Sequence, residues 1–159
     1  MDYEIERKFL VKKLPYLSDK TKQSYERYYL CRGNGVDIRI QKRNDVYELE
    51  RKSETPNLGR ETQKFEITKE EFEVLKRYSS EAIMRESYLI SESPEITIKI
   101  YHGRFEGLVR AEVEFNSVNE DKTFTPLEWM GEEITDTPLG RDSRLLGLSD
   151  KEFKDLLSK

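Results

Sequence analysis

Cysteine and histidine are nearly missing: Cys31 and His102 stand alone in 159 residues. A single cysteine cannot form an internal disulfide. With no basic-then-apolar leader at Met1-Asp2-Tyr3-Glu4, the chain reads as cytoplasmic with a free thiol. There is no Cys/His cluster for structural zinc, and one histidine excludes a His-rich metal site. No apolar run nears the roughly 18 residues of a membrane helix, so no membrane partner is expected. A Gly-rich phosphate loop, a G-x-S-x-G elbow and a dinucleotide fingerprint are all missing. The net charge of −4 exerts no general pull on nucleic acid, and none is expected as a partner.

What the chain has is charge of both signs. It carries 28 Lys and Arg against 32 Asp and Glu, 38% charged beside 35% hydrophobic. Such a balance invites disorder, but 7 Phe, 9 Tyr and 1 Trp and the lack of a long biased run argue against it. The length suits one domain over residues 1–159, able to bury roughly two-thirds of its unfolded surface without a disulfide or metal staple. That leaves more charge than the outside of a small domain requires.

Periodicity reads mostly as strands. Tyr3–Val11 alternates, and Ser24–Cys31 is Tyr-rich and β-prone. Val36–Arg43 and Val46–Lys52 flank Asn44-Asp45, a good two-residue hairpin turn. Thr62–Thr68 is a further strand. Thr68 then caps a helix over Lys69–Tyr78, with Glu71 completing a capping box and Phe72, Leu75 and Tyr78 on one side. Strands resume at Ile83–Ile90, Glu95–Tyr101 and Leu108–Phe115, and Ser117–Phe124 suits a short helix. A helical pair is expected near Arg141–Leu146 and Ser149–Leu157, the second with Ser149 and Glu152 as its capping box. Ser53–Arg60, containing Pro56 and Gly59, is the internal loop expected to move most. About eight antiparallel strands with a few helices make an α+β fold whose sheet is large enough to curl or close.

The polar strand faces carry long ionic side chains. At period two they read Glu4-Glu6-Lys8, Asp37-Arg39-Gln41-Arg43, Glu48-Glu50-Lys52, Thr62-Lys64-Glu66, Arg85-Ser87, Glu95-Thr97-Lys99 and Arg110-Glu112-Glu114. Intervening positions such as Ile38, Ile40, Ile96, Ile98, Val109 and Val113 are apolar. Two explanations compete. One is a solvated sheet face with cross-strand ion pairs of about 0.2–1 kcal/mol each. The other is a sheet closed around a polar lumen with its apolar face outside under helices, a lumen costly to dehydrate unless metal, water and an anion occupy it. Glu4/Glu6 and Glu112/Glu114 each project two carboxylates to one face, about 7 Å apart. If their strands meet, up to four acids converge and repel unless a divalent cation sits among them. All-carboxylate ligation suits Mg²⁺ or Mn²⁺. Lys8, Arg39, Lys52 and Arg85 on the same faces supply cations for phosphate oxygens.

Glu4-Ile5-Glu6-Arg7-Lys8 resembles the Glu-x-Glu-x-Lys signature of the CYTH domain, the triphosphate tunnel metalloenzyme superfamily. Ile38-Arg39-Ile40 is similar to its basic third strand. Glu50-Arg51-Lys52-Ser53 falls where the family places a phosphate-binding Lys, and Gly107 through Phe115 is similar to its acidic strand. Trp129-Met130-Gly131-Glu132-Glu133-Ile134-Thr135 resembles a late Trp-x-Gly-x-Glu segment. The resemblance spans nearly the whole chain. It implies an antiparallel eight-stranded closed barrel, a tunnel with flanking helices, and a triphosphate-containing small molecule as substrate. By position, Glu4, Glu6, Glu112 and Glu114 are implied as metal ligands, with Glu66 as a fifth. Lys8, Arg39, Lys52 and Arg85 are implied as phosphate clamps and, with Glu6, as the catalytic set. The implied chemistry is metal-assisted attack of water on a terminal phosphorus. Class IV-type adenylate cyclase and non-catalytic polyphosphate or nucleotide binding are the competing functions.

Departures matter as much. Gln41 stands where many members have a second Arg, Lys64 where an acid would complete a Glu-x-Glu, Ser87 where Arg is expected, and Lys99 at a usually acidic position. Pro138-Leu139-Gly140-Arg141-Asp142 replaces a late basic-aromatic element. Arg43, Lys64, Lys99 and Arg110 are candidates to restore the lost positive charge. Trp129 is expected to pack beside the barrel mouth, and Tyr25, Tyr28 and Tyr29 to pack or line a rim. His102 is expected to face solvent, Cys31 to lack an activating partner, and Arg141 and Arg144 are candidates for a tunnel mouth.

Overall fold

Two-residue alternation is satisfied by strands whose charged faces point one way and whose aliphatic faces point the other. A computed structural model describes residues 2–56 and 59–159. Asn57 and Leu58, within the loop expected to move, lie outside the described residues. Nine strands form: β1 (Asp2–Val11), β2 (Lys22–Gly33), β3 (Val36–Arg43), β4 (Val46–Glu54), β5 (Arg60–Glu66), β6 (Ala82–Glu92), β7 (Glu95–His102), β8 (Val109–Phe115) and β9 (Met130–Glu133). Four helices accompany them: α1 (Lys69–Lys76), α2 (Val118–Thr123), α3 (Asp142–Leu145) and α4 (Asp150–Leu157).

The order β5-β4-β3-β2-β6-β7-β8-β1 is closed by pairing of β5 with the start of β1, all antiparallel. This is the expected eight-stranded barrel. The short β9, lying in the Trp129–Glu133 stretch, adds to the far half of β1 through Phe9↔Glu133 and Val11↔Met130; sequence periodicity did not indicate it as a strand. The β3–β4 turn forms as read, with Asn44 at φ 53°, and the Ser24 N–H donates to Asn44 Oδ1 at 2.9 Å.

Three apolar clusters hold the barrel. Phe9, Ile96, Ala111, Val113, Phe115 and Met130 pack outside it, with Trp129 and Phe124 laid against them. Tyr28 and Ile40 pack under Phe72 of α1, whose Thr68–Glu71 capping box is complete. Tyr78 does not join Phe72: α1 stops at Lys76, so Tyr78 is out of helical phase and exposed.

The third cluster is of another kind. Tyr29, Ile83 and Tyr101 belong to it, with Leu108 just before β8, and the first three lie two residues along the same strands from Arg27, Arg85 and Lys99. Alternation therefore puts them on the inner face. Leu139, Leu145, Leu146 and Phe153 of the C-terminal segment pack into the same cluster. One part of the barrel interior is thus an apolar seat for the C-terminal segment, and the remainder is charged. No helix among the described residues is long and apolar enough to cross a membrane.

Candidate active site in the barrel lumen

The charged inner face encloses a cavity of about 350 Å³. Among the described residues, eleven basic and seven acidic side chains line it. A chain whose net charge is −4 therefore keeps an excess of positive charge inside, which no cross-strand pairing can cancel. The solvated-face explanation fails for this face: Lys8, Arg39, Glu50, Lys52, Arg85, Lys99 and Arg110 are all under one-tenth exposed.

Register arranges the acids and bases in rows. Glu6 of β1 lies opposite Glu114 of β8, which lies opposite Glu95 of β7. The next inward row is Lys8, Glu112 and Thr97, and beyond it Arg110 faces Lys99. Glu4 lies one step outward on β1, opposite Arg60 of β5. The two Glu-x-Glu pairs thus meet on adjacent strands, as their spacing requires for convergence.

Each acid has its own electrostatic surroundings. Burial disfavours the Glu6 charge, but Lys8 at 3.1 Å and nearby Lys52 outweigh it and hold the carboxyl low. Glu112 is buried as well, yet Arg110 at 2.7 Å, with Lys99 and Lys8, holds it well below the usual carboxylate range. Glu114 has the opposite fate. Burial, a hydrogen bond that protonated Glu114 donates to Glu95, and the charges of Glu4, Glu95 and Glu6 push it up to about 8. Glu4 pairs with Lys52. With each of Glu4, Glu6 and Glu112 turned to a base, no three acids among the described residues gather into a metal-ligating group. The Glu114 crowding is nevertheless what an all-oxygen donor set shows when its charges are uncompensated, so the residues fit a hard divalent cation.

The implied clamps also reach the lumen. Arg39 Nη1 donates to Tyr29 Oη at 2.9 Å and Nη2 reaches Glu50 at 3.4 Å, while its Nε has no hydrogen bond. Arg85 lies 3.7 Å from Glu112 and 3.5 Å from Asp142, without a hydrogen bond at Nε or Nη1. Arg43, Lys64, Lys99 and Arg110, the candidates for restored charge, line the same cavity. Arg141 reaches it; Arg144 lines a neighbouring cavity instead, its Nη1 donating to the Asp136 carbonyl at 2.9 Å.

Glu66 does not join the acids. It is exposed at the end of β5, opposite Glu48. Six residues, about 20 Å of strand, separate it from Arg60, the residue beside Glu4. The β5 polar face runs along the barrel, so alternation alone could not say which of its members lies near β1. Cys31 is exposed, and His102 meets Glu86 at 2.9 Å away from the lumen.

Arg27 and Asp142 also belong to the site, though nothing in the sequence singled them out. Arg27 is buried on β2, where tyrosines on both faces hide the polar alternation. Asp142, at the start of α3, has no strand period to betray it. Its carboxylate takes hydrogen bonds from Arg27 at 2.8 Å, Arg110 at 3.2 Å and the Tyr101 hydroxyl. Burial opposes its charge, but Arg85, Arg110 and Arg27 hold it well below the usual carboxylate range.

No protein-family model matches the chain. It is 27% identical over 158 residues to the inorganic triphosphatase of Acetivibrio thermocellus, covering 98% of this chain and 100% of that protein. The crystal structure of the inorganic triphosphatase NE1496 superposes with a TM-score of 0.69 at 24% identity, over 94% of this chain and 97% of that one. HpAC1 from Hippeastrum, an adenylyl cyclase candidate with a dominant triphosphatase activity, superposes with a TM-score of 0.52 at 15% identity, over 75% of this chain and 82% of that one. The closed barrel, the paired Glu-x-Glu strands and the full-length similarity together liken the chain to these triphosphatases in fold and in sequence.

Proposed function

We propose that this protein is a divalent-metal-dependent triphosphatase acting on inorganic tripolyphosphate within the barrel. The observation that carries the reading is the buried lumen in which bases outnumber acids while the acids concentrate where β1 meets β8. Inorganic triphosphatase is the activity named for the similar Acetivibrio protein.

Glu4, Glu6, Glu112 and Glu114 would hold Mg²⁺ or Mn²⁺. When bound, that ion supplies neutralisation of phosphate oxygens and an acidified water. Lys8, Arg39, Lys52 and Arg85 hold the phosphate chain. Guanidinium nitrogens lacking a hydrogen bond in a buried site cost about 1–3 kcal/mol each, and phosphate oxygens meet that need with charge-assisted bonds. Fixing the chain between these cations keeps the attacked phosphorus and the leaving oxygen in line. Glu114, whose carboxyl is pushed up to about 8, would have to give up its proton to serve as a ligand.

An adenylate cyclase would also have to recognise a base. Tyr25 is the single aromatic lining residue among those described. Arg27, Arg85 and Lys99 lie 5.1–5.6 Å from its ring centre, so its ring is engaged by cations. The inorganic substrate is therefore favoured over a nucleotide.

The test supplies tripolyphosphate, ATP and thiamine triphosphate with Mg²⁺, Mn²⁺ or chelator, and follows phosphate and cyclic nucleotide. Metal-dependent phosphate release from tripolyphosphate, lost in a folded Glu6→Ala variant, is expected. Unchanged release by that variant would refute the assignment. Tight binding without release would establish a sensor.

A further inference from the structure

Three lysines are buried in the lumen: Lys8, Lys52 and Lys99. Lys8 has Glu6 at 3.1 Å and Lys52 pairs with Glu4. Lys99 differs. Its ammonium donates to Ser87 Oγ at 2.9 Å, and no carboxylate among the described residues lies within the 4.0 Å of an ion pair. Glu112, the acid that acts on it electrostatically, is taken by Arg110 at 2.7 Å. A buried ammonium whose hydrogen-bond partner is a hydroxyl is incompletely compensated.

Arg85 lies beside it. Both cations sit over Tyr25, Arg85 at 5.1 Å and Lys99 at 5.6 Å from the ring centre, and Arg85 has two nitrogens without hydrogen bonds. Two under-satisfied buried donors therefore converge on one wall. Four residues of β7, about 13 Å of strand, separate Lys99 from Glu95 in the acidic row.

We infer that Lys99 joins Arg85 in holding a phosphoryl group on the side of Glu112 away from the Glu6–Glu114–Glu95 row, and that Lys99 is a substrate-binding residue of this chain. The inference rests on the triphosphatase reading and deepens it. The register also accounts for two departures at once. Ser87 and Lys99 are direct cross-strand partners on β6 and β7, so the base missing at position 87 is delivered from the neighbouring strand. Directly opposed side chains start about 4.5–5.5 Å apart at Cβ, close enough for a lysine on either strand to serve the same spot.

The experiment follows from that equivalence. Tripolyphosphate affinity is measured in chelator, and KM and kcat with Mg²⁺, for wild type, Lys99→Ser, Lys99→Met and the relocation variant Ser87→Lys/Lys99→Ser. Lys99→Met keeps the volume without the buried charge, so it provides a folded comparison if Lys99→Ser does not fold. Loss of one charge-assisted contact is expected to weaken metal-free binding by roughly 10- to 100-fold, with KM rising more than kcat falls. The relocated lysine is expected to recover a large part of that loss. Lys99→Met binding as tightly as wild type, or a relocation that recovers nothing, overturns the subsite. If wild type itself neither binds nor cleaves tripolyphosphate, the triphosphatase reading falls, a result distinct from failure of the Lys99 subsite alone.

Discussion

Asp142 Oδ2 lies 2.8 Å from Arg27 Nη1, joining the C-terminal segment to the wall of the barrel. The same carboxylate meets Arg110 and lies 3.5 Å from Arg85. It is an acid shared by three lumen arginines, of which Arg110 and Arg85 also approach Glu112. Asp142→Asn should destabilise the protein by about 3–5 kcal/mol, because it leaves buried cations uncompensated. Denaturant midpoints would check this, and a loss under about 1 kcal/mol would contradict it. The folded-state carboxyl is depressed from 3.8, so its stabilisation is present above that value and is lost as pH falls further. The variant should show a flatter acid limb than wild type.

Glu114 behaves inversely. Its folded-state value is raised from 4.5 to about 8, so the metal-free fold is favoured by the proton below 4.5 and loses that contribution as pH rises towards 8. Metal binding at neutral pH should release a proton, and Mg²⁺ affinity should climb from pH 6 to 8. Calorimetry in buffers of different ionisation enthalpy measures the release. Proton-neutral binding at pH 7 would contradict a role for Glu114.

Glu114 and Glu66 give a direct contrast. Glu114→Gln should lower metal affinity by at least about tenfold. Glu66→Gln, on an exposed strand end, should leave kcat/KM within about twofold. Equal losses in the two variants would place Glu66 back among the ligands.

Gly59 has φ +84°, and a Cβ there would come within 1.9 Å of the Glu4 carbonyl oxygen. Gly59→Ala must therefore move the start of β1, which carries Glu4. A stability loss above about 1 kcal/mol together with weaker Mg²⁺ binding is expected. A variant matching wild type in both would show that this approach is dispensable.

Much of this site was legible in the chain. Glu4-x-Glu6-x-Lys8 and Arg110-x-Glu112-x-Glu114 announce charged strand faces because side chains alternate every two residues whatever the neighbouring strand. The Thr68–Glu71 and Ser149–Glu152 boxes mark helix starts because capping is settled within four residues. Arg27 was hidden by Tyr28 and Tyr29, which fill both faces of β2.

Which residues share a strand face follows from alternation along each stretch of chain, and with it that acids and bases occupy one side of the sheet. Which way that side faces, and which residues meet across it, comes from contacts between strands. Closure of β5 on β1 turned that side inward, and register set Glu6 against Glu114 and Lys99 against Ser87. It left Glu66 outside and brought Asp142 in from a segment with no strand period. Alternation is a local property of one strand. Closure, stagger and the docking of a C-terminal segment depend on contacts between residues far apart in the chain, which no single stretch encodes.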